Sequence, residues 1–288
     1  MDRVLQSIND FFVDILVKAV MFVYGGIFSV VNNNVSTAAG QLSTSPANFS
    51  PSIFNLIKNL SENVILPIAG LILTYIAVIE LIQMIIEHNN LANFETWFIW
   101  RWIIKTFIAV ELLANVFTIV MAVFDVADHV ISHAGGLIGR STDITADLAT
   151  HFESTLRAMN FGELLVILFM SIGLWIGILI MAVIVWVIVY ARMVEIYMMV
   201  SLSPIPFATL SSKEHSHVGW NYFRSIAAVG FQGFLMMVCI GIYAVLIQTI
   251  TLSTNIIGTI WGIFGYTVLL CFTLLRTSEL SKSIFSAR

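Results

Sequence analysis

Charge is what this sequence has least of. Lys and Arg number 13 and Asp and Glu 17 in 288 residues, so charged side chains make up 10% of the chain against 59% hydrophobic. Soluble domains carry about 25% charged residues, and a solvated surface of this size could not be covered with so few. A lipid-facing surface explains the deficit, because the bilayer replaces the water that charges would otherwise meet. The net charge of −4 and the lack of a dense basic patch exclude a protein that wraps nucleic acid by itself, which needs cations against the phosphates. Cysteine is scarce too: Cys239 and Cys271 both sit in apolar runs, where they serve as small hydrophobes rather than as a disulfide framework. The sequence has no G-x-x-x-x-G-K-[ST], no G-x-S-x-G and no H-E-x-x-H, so the common nucleotide, esterase and zinc-protease signatures are missing. No enzymatic activity and no cofactor are expected.

What the chain does have is long apolar runs. Residues 4–31 read as a helix with a polar stripe of Gln6, Asp10, Asp14 and Lys18, one every four residues. Such a helix either lies in the interface or spans with its stripe turned toward other helices. It is not expected to be a cleaved signal peptide, since Asp14 and Lys18 interrupt its apolar core. Residues 32–61 read as a polar linker rich in Asn, Ser, Thr and Pro. The core, 62–288, is expected to hold five spans: about 63–86, about 106–124, 164–190 and a hairpin of two within 225–275, broken by Gln248, Thr249, Thr251, Ser253, Thr254 and Asn255. Leu164–Tyr190 is 27 residues without a charge, about 40 Å of helix against a hydrocarbon core of about 30 Å. The expected fold class is therefore all-α: a polytopic integral membrane protein with five core transmembrane helices and an amphipathic or spanning N-terminal helix.

Two polar segments lie between the spans. Residues 125–163 are expected as an external loop, amphipathic in part through Ile144, Leu148, Phe152 and Leu156. Residues 191–224 are expected as a cytoplasmic-side segment broken by Pro204 and Pro206. Charge counting supports that placement. If 191–210 does not cross, Arg101, Lys105, Arg192, Lys213, Arg224, Arg276, Lys282 and Arg288 fall on one side, with only Lys58, Arg140 and Arg157 on the other, as the positive-inside tendency asks. Trp97, Trp100 and Trp102 beside Arg101 and Lys105 mark a headgroup level.

Each polar group inside an apolar run has a functional and a structural reading. Glu80, Glu111, Arg192 and Glu195 could line a conduit, since charges at such depth face the protein interior or a water path. The reading to prefer is static pairing between helices, for instance Arg192 with Glu195. Asp125, His129 and His133 share a helix face at a spacing that can hold zinc, but no fourth ligand stands near, and a solvated face explains them. His215 and His217 beside Glu214 read as loop residues near the headgroups. Gly173 with Gly177, and Gly258 with Gly262, are G-x-x-x-G pairs that let helices approach closely, within or between subunits.

The stretch 190–239 carries a resemblance. YARMVEIYMMVSLSPIPFATL, a short hydrophilic loop, then GWNYFRSIAAVGFQGFLMMVC resembles the TrbL-type subunits of conjugative type IV secretion systems. The matching residues are Ser203, Pro204, Ile205, Pro206, Ala208 and Trp220, and WRWIIKTFIAVELLANV resembles the family's second span. The resemblance covers roughly 60–280. It implies a channel or scaffold subunit in the cytoplasmic membrane that helps a DNA–protein substrate across, with other secretion subunits, a separate ATPase and further copies of itself as partners. Pro204, Pro206 and Trp220 would then shape a docking or hinge segment. The chain lacks the large soluble C-terminal extension of longer members, which suggests a compact form like those of Gram-positive elements. A secondary transporter of a small molecule is the competing reading; it would need two related halves, and no internal repeat is visible.

Overall fold

The structure, a computed structural model, describes residues 2–87, 96–138, 146–251 and 256–287. Among these residues the chain is helical apart from short turns, with no strand. Apolar runs of this length leave little else: a segment in lipid must satisfy its backbone polar groups within itself. The long helices are α1 (Asp2–Leu42), α4 (Leu66–Glu87), α5 (Thr96–Ala114), α6 (Val116–Ile138), α8 (Phe161–Leu202), α10 (Ser216–Thr251) and α11 (Ile256–Ile284). Shorter pieces are α2 (Pro46–Phe49), α3 (Pro51–Leu60), α7 (Ala146–Arg157) and α9 (Pro204–Ala208). A π-helical turn over Ser61–Ile65 joins α3 to α4. Among the described residues six stretches are long and apolar enough to cross a membrane: Asp10–Leu42, Pro51–Glu87, Val116–Gly136, Phe161–Leu202, Ser216–Ile250 and Ile257–Ile284.

The chain forms two compact units. One comprises Met1–Ser43, Ile131–Tyr190 and Leu235–Thr277. In it α1 and α8 run parallel. Phe12 meets Phe161 edge-on, Gly26 lies under the Trp175 ring, and Gln41 Nε2 donates to Tyr190 Oη at 3.1 Å. Helix α7 runs the other way, with Phe152 against Tyr24 and Phe28 and Arg157 Nη1 3.1 Å from Asp14 Oδ1. Helix α11 is parallel to α8: Phe264 fills the space over Gly177, and Cys271 Sγ reaches Met181 O at 3.7 Å. Helix α10 is antiparallel to α11, joined by Tyr243 Oη and Thr267 Oγ1 at 2.8 Å. Thr267 gives its own proton to Ile263 O, so Tyr243 is the donor of that pair.

The other unit comprises Thr44–Val130, Ala191–Phe234 and Ser278–Arg288. Its core joins Val116, Val120 and Phe124 of α6 to Met193, Ile196 and Val200 of α8 and to Ile226 and Val229 of α10. Tyr197 is anchored there by its hydroxyl, which donates to Pro46 O at 2.7 Å. A second cluster packs Ala69 and Leu73 of α4 against Leu113 of α5 and Ala208 of α9. The opposite face of α4 is bare: Ile68, Leu71, Tyr75, Val78, Ile82 and Ile85 are all exposed. A stripe of large apolar side chains at helical spacing is untenable in water and ordinary against acyl chains.

Several sequence expectations are revised. Residues 32–42 continue α1, and most of 46–61 is helical, so the stretch read as a polar linker is largely helix. Its polar residues lie in a helix whose Val31, Val35, Ala38 and Leu42 are buried, and that packing outweighs weak local preference. The expected span 106–124 is instead two helices meeting at Asn115, whose Nδ2 and backbone N–H both donate to Glu111 O. An Asn that bonds locally in this way competes with regular helix. The expected loop 125–163 is helical over 125–138 and 146–157. Phe152 and Leu156 of its predicted stripe are fully buried, while Ile144 lies outside the described residues, as do Arg140, Ser253, Thr254, Asn255 and Arg288. Finally, 191–202 is not bent: it is the end of α8, and the break falls at Ser203.

Candidate functional site

The polar groups singled out by sequence occupy separate places in the second unit. Arg192 is the most enclosed, with 3% of its surface exposed. It sits on α8 among the apolar side chains of α6 and α10. Its Nη2 donates to Gly230 O at 3.4 Å and its Nε to Val229 O at 3.5 Å. Those carbonyls belong to the α10 ladder, so they accept Arg192 with a second lone pair. Asp128 of α6, also buried, and Glu195 attract Arg192 electrostatically. The Oδ2 of Asp128 and the Oε1 of Gln232 are buried with no hydrogen-bond partner among the described residues. One cation and several acceptors thus share an apolar core, where charges are tolerated only beside compensating groups.

Glu195 does not pair with Arg192 as the i,i+3 spacing suggested. Its carboxylate takes Lys282 of α11 instead, at 3.3 Å. Glu80 is held by Lys105 Nζ at 2.7 Å to both oxygens and also accepts the backbone N–H of Lys213 at 2.9 Å. Beside it Trp102 Nε1 donates to Ala77 O at 3.1 Å, fixing α5 on α4. Glu111 is exposed on α5 and makes no ion pair among the described residues. The four groups therefore do not converge on one path: three are engaged in packing and the fourth faces outward.

The proline segment is a compact helical elbow. Helix α8 stops where Ser203 turns its Oγ back to Val200 O at 2.8 Å. Pro204 then opens α9 at its first turn, the position where a missing N–H and a fixed φ cost nothing. Pro204, Phe207 and Ala208 are buried. Phe207 meets Phe223 edge-on, and Phe223 meets Trp220, so the elbow docks on the first turns of α10. Trp220 itself stays 56% exposed. Gly219, which sequence reading missed, is the contact that allows this: a Cβ there would lie 2.7 Å from Pro206 O. A glycine one residue before the quoted Trp220 was the available signal.

The glycine pairs act singly. A Cβ on Gly177 would stand 2.7 Å from the Phe264 ring, and one on Gly262 would collide with Ile250. Gly173 has open space around it, and Gly258 is exposed. Asp125, His129 and His133 lie exposed along α6, and no cluster of metal-ligating side chains gathers among the described residues. His215 caps the turn before α10 through Ser212, and Glu214 accepts from Gln83 at 3.1 Å.

Apolar helices of this length with bare apolar faces define an all-α, multi-pass membrane protein. The family model described as TrbL/VirB6 plasmid conjugal transfer like protein matches residues 31–204, and the chain belongs to that family. No curated protein and no solved structure matches it significantly.

Proposed function

We propose that this protein is a channel or scaffold subunit of a conjugative type IV secretion system, helping a DNA–protein substrate across the cytoplasmic membrane without catalytic activity of its own. The family match carries the reading. The absence of a P-loop in the sequence fits it, since energy then comes from a separate secretion ATPase. No group of buried charges forms a path through the described residues, so the conduit is assigned to an assembly of several copies with other secretion subunits. Of the four polar groups, Glu111 is the one available to line such a path; Glu80, Arg192 and Glu195 hold helices together.

Orientation follows from helix direction and charge. Because α8 and α11 are parallel and α10 opposes α11, the C-terminal ends of α8 and α11 share a side with the N-terminal end of α10. Arg192, Lys213, Arg224, Arg276 and Lys282 cluster at those ends. We assign that side to the cytoplasm. Co-purification from membranes with the conjugative ATPase tests the functional reading. Capture of the ATPase supports it; saturable binding from a small-molecule panel, without the ATPase, would favour a transporter.

A further inference from the structure

One face of helix α5 is only partly covered by the elbow. Arg101, Lys105, Ile108 and Leu112 follow at intervals of four, three and four residues and so share one face. Together with Phe207 and Leu210 from the α9 elbow they line an open groove of about 380 Å³, within the range of roughly 300–1,000 Å³ usual for small-molecule sites. Its lining is apolar apart from Arg101, Lys105 and Ser211. Arg101, at the N-terminal end of that face, is exposed and makes no ion pair among the described residues. Lys105 is already neutralised by Glu80 at 2.7 Å, so among the described residues Arg101 supplies the uncompensated charge. Trp97 and Trp100, exposed by 64% and 56%, stand within a turn of it and mark the headgroup level.

We propose that this groove holds one anionic phospholipid, its phosphate on Arg101 and an acyl chain laid along Ile108, Leu112 and Phe207. The charge distribution identifies the occupant: one cation at the interfacial end of an apolar channel fits a single-headed amphiphile. A peptide would need backbone partners along the groove, and a nucleic acid would need cations along it. Length agrees, since Arg101 to Leu112 spans about 16 Å of helix, close to half of a hydrocarbon core of about 30 Å. Seated there, the lipid bridges α5 and the proline elbow, making the elbow's position sensitive to membrane composition.

The test is native mass spectrometry of the full chain, purified in detergent, delipidated, and titrated with dioleoylphosphatidylglycerol or dioleoylphosphatidylcholine. The expected result is one tightly retained phosphatidylglycerol, favoured about fivefold over phosphatidylcholine, as one basic residue near an anionic headgroup supplies. Arg101→Gln, a change at an exposed position, brings the two lipids to parity. Ala109→Phe, which fills the groove floor, lowers retention of both. Equal retention by the wild type, or an undiminished preference in Arg101→Gln, would overturn the proposal.

Discussion

Gln41 and Tyr190 are hydrogen-bonded side chain to side chain at 3.1 Å across 149 residues of sequence. Phe12 with Phe161 and Gly26 with Trp175 keep the same separation, so α1 and α8 lie parallel and in register for about thirty residues, roughly 45 Å. That register places the start of α1 beside the start of α8. In a cysteine-free background, Asp10→Cys and Ala158→Cys should therefore react with a membrane-impermeant thiol reagent from the same side. Labelling of the two from opposite sides would contradict the parallel arrangement.

Arg192 and Asp128 predict an asymmetric mutational response. Arg192→Met leaves a buried carboxylate without the positive charge that attracts it and should cost about 1–3 kcal/mol. Asp128→Leu with Arg192→Met removes both charges and should recover most of that loss. Thermal unfolding of the detergent-purified variants measures the cycle. Additive losses would show that the two groups are not coupled.

The glycines separate cleanly. Gly177→Leu forces its side chain into Phe264 and should destabilise by about 1–3 kcal/mol through overpacking. Gly173→Ala, with open space around it, should leave the melting temperature unchanged. Equal effects of the two changes would mean that the G-x-x-x-G pair acts as a unit after all.

The elbow after α8 depends on Pro204 at the first turn of α9. Pro204→Leu with Pro206→Leu restores two backbone donors and lets α8 run on past Ser203. The double variant should insert into membranes at normal levels yet transfer DNA poorly in a mating assay. Unchanged mating would sink a role for the elbow in transfer.

These features were unequally legible in the sequence. Composition and run length gave the membrane class, because lipid leaves helices as the way to bury so apolar a chain. The proline break was visible in Ser203–Pro204 and needed only a shift from a bent segment to a single turn. The helix at 32–42 was hidden, since Asn, Ser and Thr prefer turns when nothing packs against them, and the packing partner lies far away in sequence. Partner choice was hidden for the same reason. Glu195 had Arg192 at helical spacing, but Lys282, 87 residues on, is the one that reaches it. Asp128 drew no notice among Asp125, His129 and His133, although it is the one whose side of α6 turns into the core.

A role in conjugal transfer is tested most directly by mating frequency after deletion of the gene, with complementation. Transfer should be lost on deletion and restored by the wild-type chain at native expression. Normal transfer from cells shown to lack the protein would contradict it.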